Sequence, residues 1–78
     1  MTNLEKYTQA FTETFAISAD EACSVKYQEQ QNWDSVGHMT LIAALEDVFD
    51  IMMDTEDIIN FNSFEKGKVL LKKYDVEL

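Results

Sequence analysis

Three observations predict an all-α protein. Apolar residues recur at helical spacing in three stretches, no stretch alternates polar and apolar residues as a half-buried strand does, and the 78-residue chain has no proline to break those stretches. At this length there is room for one small domain, residues 1–78, and none for a second core. The expected architecture is three longer helices and a short third helix around a single core.

The first helix follows from Leu4, Tyr7, Phe11 and Phe15, which line up on one face, with Thr2 or Asn3 as cap and Glu5 in the first turn. From Ala16 to Asp34 the periodicity fades, and Ile17, Val25, Tyr27 and Trp33 are spaced like anchors in a long loop. Asp20-Glu21-Ala22-Cys23 suits a single helical turn within it. The second helix is expected from Ser35 to about Met52, with Leu41, Leu45, Val48, Phe49 and Met52 on its core side. Val36, Met39, Ala43, Glu46, Asp47 and Asp50 share the opposite side, apolar near its start and acidic further on. Asp54 is the expected cap of a short helix, Thr55 to Asn60, packed down by Ile58, Ile59 and Phe61, with Glu56 and Asp57 favouring its positive end. Ser63 caps the last helix, whose inner stripe is Phe64, Gly67, Leu70, Leu71 and Tyr74. Gly67 costs about 1 kcal/mol relative to alanine there, which implies the close approach of a neighbouring helix. Lys72 and Lys73 suit the negative end of that helix.

Charge narrows the function. Between Tyr27 and Glu65 there are nine acids (Glu29, Asp34, Glu46, Asp47, Asp50, Asp54, Glu56, Asp57 and Glu65) and no lysine or arginine; the rest of the chain is neutral, so the whole net charge of −9 lies in that span. Nucleic acid is a poor partner for such a surface, because phosphate binding needs cations. A basic protein surface fits it, since opposed fields speed and orient encounter. No run is long and apolar enough to cross a membrane, the N-terminus lacks a signal-peptide core, and the lone Cys23 forms no internal disulfide. A cytoplasmic monomer without a membrane partner is therefore expected. Cys23 and His38 are the only residues of their types, too few for a Cys/His metal site.

Catalysis of its own is not expected. Ser35 and His38 are close on a helix, but no orienting acid, oxyanion site or substrate pocket is evident for a hydrolytic pair. The acidic stretch from Asp50 to Phe61 lacks the glycine of an EF-hand loop. What remains is a serine at the start of an acidic amphipathic helix.

That segment, Trp33-Asp34-Ser35-Val36-Gly37-His38-Met39-Thr40-Leu41 through Leu45-Glu46 and Phe49, resembles the acyl carrier protein family in its Asp-Ser pair and in the Leu41, Leu45-Glu46 and Phe49 spacing. The resemblance extends over most of the chain: four helices in the same order, a long first loop, a short third helix and a Ser-led last helix. It implies a four-helix bundle of the acyl carrier type and a phosphodiester from Ser35, within the Asp34-Ser35 motif, to 4′-phosphopantetheine. It further implies that a Mg²⁺-dependent phosphopantetheinyl transferase installs this arm from coenzyme A, and that the terminal thiol carries acyl or aminoacyl groups as thioesters to loading, transfer or condensing enzymes. Partners with basic surfaces would dock on Val36, Met39, Ala43, Glu46, Asp47 and Asp50. A phosphate on Ser35 would lie beside unpaired N–H groups and the positive end of the helix.

Some positions depart from the family's usual form. Val36 replaces a common leucine, and Gly37 and Thr40 stand where many fatty-acid carriers have acids, which favours a dedicated pathway over general fatty-acid synthesis. No glycine precedes Ser35, unlike the peptidyl carrier relatives. Trp33 is expected to pack the loop against the helices, His38 to be a satisfied residue at the core's edge, and Cys23 to be inert and partly buried. Ile58, Phe61, Leu45 and Met52 are expected to fill the space between helices and so to favour a short or polar cargo. The alternatives are a small acidic helical adaptor that binds basic proteins without a prosthetic group, for which Ser35 is only a helix cap, and a degenerate carrier, which the intact Asp34-Ser35 opposes.

Overall fold

The first helix begins where its sequence says it should: the Thr2 hydroxyl accepts the Glu5 N–H at 3.1 Å while the Thr2 N–H donates to Glu5 Oε1 at 2.9 Å. The computed structural model describes residues 2–27 and 33–78. In it the chain runs α1 (Asn3–Phe15), α2 (Ala19–Ala22), α3 (Ser35–Phe49), α4 (Thr55–Asn60), α5 (Phe64–Leu71) and a closing 3-10 turn (Lys72–Tyr74). Among the described residues there is no strand, only a single antiparallel bridge between Lys26 and Ser63. The fold is all-α. The three longer helices and the short one are present, and the loop turn is a capped one-turn helix, α2, opened by Ser18. Glu29, of the acidic run, lies outside the described residues.

Aromatic rings dominate the core. Tyr7, Phe11 and Phe15 of α1 meet Trp33, Phe61 and Phe64, all buried, alongside Leu41, Ile42 and Leu45 of α3. Phe15 stacks on Trp33 at 5.2 Å and Phe11 meets the same indole edge-on at 5.5 Å, so Trp33 anchors the end of the long connection against α1. Gly67 is buried against two aromatic side chains, Phe61 and Tyr7, rather than against the backbone of a neighbouring helix. A Cβ there would overlap Phe61 Cζ and Tyr7 Oη and come within 2.7 Å of Phe61 Cε2. Tyr7 Oη in turn donates to the Phe64 carbonyl at 2.6 Å. Burial, with the Glu65 charge as the lesser cause, pushes that phenol's pKa far up, so it remains a donor.

The structure corrects several expectations. Leu4 is half exposed, because the stripe it begins overhangs the end of the core. The second long helix stops at Phe49, with Asp50 in the left-handed region (φ 52°), so the 100° projection no longer governs Met52. Met52 is 85% exposed, and Met53 takes the core position instead. Val48, at the stripe's margin, is exposed, while Ile42 is buried. Ile58 of α4 and Phe61 just after it face inward, but Ile59 is 73% exposed. Asp54 precedes α4 without a side-chain cap bond; its N–H donates to Tyr74 Oη at 2.9 Å. Tyr74 itself is half-buried, carried by the 3-10 turn rather than by α5. Cys23 is exposed, its thiol 3.5 Å from the Ala19 carbonyl.

Two connections hold the elements in register. Tyr27 N–H donates to the Asn62 carbonyl at 2.8 Å and Phe64 N–H to the Val25 carbonyl at 3.2 Å, pinning the segment after α2 to the junction of α4 and α5. The turn after α3 is closed by Glu46, whose Oε2 accepts the Met53 N–H at 2.9 Å.

Candidate functional site

Hydroxyl groups cap three helices in this protein: Thr2 for α1, Ser18 for α2 and Ser63 for α5. The start of α3 is different. There the cap is Asp34, whose Oδ1 accepts the Gly37 N–H at 2.9 Å, and Ser35 is the first helical residue. The Ser35 side chain is exposed and, among the described residues, has no hydrogen-bond partner. The capping role considered for Ser35 is thus filled by its neighbour. The Gly37 N–H goes to the Asp34 carboxylate and the His38 N–H to the Asp34 carbonyl at 2.8 Å. The N–H groups of Ser35 and Val36 have no carbonyl of α3 to reach, and they face out at the helix end.

Beside Ser35 lies a cleft of about 370 Å³, lined on one side by Ser35, His38 and Met39 of α3 and on the other by Ile58 and Ile59 of α4, with Phe61, Asn62 and Tyr27 completing it. Of the four residues expected to fill this space, Ile58 and Phe61 line it. Leu45 is fully buried away from it and Met52 stands in solvent, so they leave the cleft open. Tyr27 and Asn62 reach the cleft through the bridge between Lys26 and Ser63, a pairing of distant segments that periodicity does not register.

His38 is half-buried at the inner side of the cleft and tied at both ring nitrogens. Its Nδ1 accepts the Trp33 indole N–H at 2.9 Å, and its Nε2 lies 2.7 Å from the Ile58 carbonyl oxygen. An indole N–H only donates and a carbonyl only accepts, so these partners assign the neutral tautomer with the proton on Nε2. The ring lies nearly parallel to Trp33 (21°, centroids 6.1 Å apart) and meets Tyr27 edge-on at 5.4 Å. With both nitrogens engaged, His38 holds α3 to α4.

On the outer face of α3, Val36 is 77% exposed and Met39 and Ala43 are exposed beside it; with Ser35 and Thr40 they form a shallow apolar surface. Asp47 and Asp50 continue this face into solvent, whereas Glu46 is half-buried, with one oxygen committed to Met53.

One cluster carried no signal in the sequence. Asp57 is only 3% exposed, and its carboxylate accepts two hydrogen bonds from Lys73 Nζ, at 2.9 and 3.0 Å, and one from Tyr74 Oη at 2.5 Å. The Tyr74 hydroxyl first and the Lys73 ammonium second hold the Asp57 carboxyl below the usual range. Asp57 in turn raises both Lys73 and Tyr74 above theirs. This group ties α4, one wall of the cleft, to the end of the chain. Among the described residues no three His, Cys, Asp or Glu side chains come together to hold a metal ion, and no helix is long and apolar enough to cross a membrane. No family model, curated protein or solved structure matches this chain.

Proposed function

We propose that this chain is a carrier protein of the acyl carrier type, a four-helix domain that holds a 4′-phosphopantetheine arm on Ser35 and delivers acyl or aminoacyl groups to partner enzymes. The observation that carries this reading is the division of labour at the start of α3. Asp34 supplies the cap, so the Ser35 hydroxyl is exposed and uncommitted at the end of a rigid helix, on the rim of an apolar cleft.

The residues present fit the group. Ser35 Oγ would form the new P–O bond at the phosphorus nearest the pantetheine of coenzyme A. The bond from that phosphorus to the adenosine half breaks, adenosine 3′,5′-bisphosphate leaves, and the hydroxyl proton passes to a base of the transferase. The outward N–H groups of Ser35 and Val36 and the positive helix end favour a phosphodiester there, while Asp34, itself anionic, keeps it on the outer side. When bound, the arm supplies a thiol for thioester chemistry; the chain supplies the address. Val36, Met39 and Ala43 offer apolar contact, and Asp47, Asp50 and the free side of Glu46 orient a basic partner. Gly37 and Thr40, in place of acids, suit a dedicated partner set.

Intact mass tests the proposal. After incubation with coenzyme A, Mg²⁺ and a broad-specificity phosphopantetheinyl transferase, wild type gains one arm and Ser35→Ala none. The exposed Val36–Met39–Ala43 surface also fits a small acidic adaptor with no prosthetic group. In that case binding to basic partners survives Ser35→Ala unchanged and wild type takes no arm.

A further inference from the structure

We propose that His38 is a specificity-determining residue that limits the cleft beside Ser35 to short acyl groups. The inference rests on the carrier reading of Ser35. At about 370 Å³ the cleft is near the low end of the size range of small-ligand sites, and its lining is apolar apart from Ser35, Asn62, the Tyr27 hydroxyl and the histidine itself. Ser35 is part of its lining, so an arm folded back from that serine gives its acyl end a route into the cleft. What stops such a group is the imidazole, which spans from α3 to the Ile58 carbonyl of α4 beside the Phe61 ring, with the buried Trp33 ring stacked behind it.

The ring is not free to swing aside. Trp33 is only 1% exposed, and its indole N–H is satisfied by His38 Nδ1. Displacing His38 strands that donor and leaves the Ile58 carbonyl with only the Phe61 N–H, at 3.4 Å. The stranded indole N–H alone disfavours the open state on the order of ten- to hundredfold. A methylene that gains apolar surroundings returns only about fourfold. A chain therefore gains nothing by forcing the ring until several methylenes lie beyond it, and those further methylenes would first have to enter the aromatic core. The cleft thus encloses the first few carbons of an acyl group and leaves the rest in solvent.

The test is thioester protection as a function of chain length. Wild type and variants are loaded from acetyl-, butyryl-, hexanoyl-, octanoyl- and dodecanoyl-coenzyme A, and cleavage by hydroxylamine is timed. In wild type, protection rises from acetyl to hexanoyl and is then flat. His38→Ala moves that plateau to longer chains, each newly enclosed methylene slowing cleavage by about fourfold. His38→Ala in a Trp33→Phe background, which strands no indole N–H, gives the same result if the single variant folds poorly. His38→Gln, whose amide both accepts and donates, keeps the wild-type plateau. The same plateau in every variant, or wild-type protection still rising through dodecanoyl, overturns the inference and leaves the carrier reading standing. Failure of Ser35 to take any arm overturns both.

Discussion

Replacing Gly67 with alanine puts one methyl group where the rings of Tyr7 and Phe61 already meet. On helix propensity alone the substitution stabilises by about 1 kcal/mol. The structure reverses that sign. The added Cβ overlaps Tyr7 Oη and Phe61 Cζ, so both rings must shift inside a close-packed core. Overpacking of this kind costs about 1–3 kcal/mol. If Tyr7 moves, its 2.6 Å bond to the Phe64 carbonyl is lost, and a stranded buried donor costs about 1–3 kcal/mol more. With both costs set against the propensity gain, the net destabilisation is about 1–5 kcal/mol, compared with the roughly 4–12 kcal/mol available to a domain of this length. At about 4–8 °C per kcal/mol, the melting temperature falls by at least about 4 °C. Circular dichroism in a thermal ramp and a urea titration measure it, with the m-value unchanged. Tyr7→Phe removes one of the two clashing atoms, so the double variant should be more stable than the two single changes sum to. A melting temperature equal to or above wild type for Gly67→Ala would refute the packing argument and leave only propensity.

Asp57 makes stability depend on pH in a stated direction. Its carboxyl is held down in the folded state, so the contribution is full above the unfolded pKa of about 3.9 and is lost as the pH falls through the lower folded value. Lys73 and Tyr74 are raised, so their contribution is present below about pH 10 and lost as the pH rises through their folded values. Urea midpoints across pH should show both limbs in wild type, and Asp57→Asn should flatten the alkaline limb and shrink the acid one. Glu5, also held down, by the Thr2 cap bonds, keeps part of the acid limb. Ala16 ends α1 in the left-handed region at φ 54°, where glycine is unstrained, so Ala16→Gly should raise the melting temperature by about 4–8 °C for about 1 kcal/mol. The −9 charge should make the fold firmer in salt. Because the described residues hold no chelating cluster, Mg²⁺ should raise the melting temperature no more than NaCl of equal ionic strength; a larger rise would reveal a specific site.

Helix positions and most of the core were legible because they depend on local periodicity. Tyr7, Phe11, Phe15, Leu41 and Leu45 are buried as their spacing predicts. Errors cluster where an element ends or a contact is distant. Met52 leaves the core, and Met53 takes its place, because Asp50 turns left-handed and nothing in the neighbouring residues announces that turn. Ile59 is exposed because two adjacent isoleucines on a one-and-a-half-turn helix cannot both face inward. Asp57 reads locally as a helix-dipole residue; its burial comes from Lys73 and Tyr74, sixteen and seventeen positions away. At the site, Ser35 and the outer face of α3 were readable from the motif and its spacing. The two bonds of His38 were not, since they need Trp33 and the Ile58 carbonyl brought together by the tertiary fold.

The central claim concerns which oxygen bears the arm. Ser18, Ser24, Ser35 and Ser63 are all serines that begin or border helices, and three of them spend their hydroxyls on hydrogen bonds at a helix end. No lysine or arginine lies between Lys26 and Lys66, so trypsin leaves Ser35 and Ser63 in one fragment, and cleavage at acidic residues separates them. Fragment mass spectrometry of the transferase-treated protein should find the phosphopantetheine on Ser35 alone, in full occupancy. An unmodified Ser35, or an arm on any other serine, would contradict it.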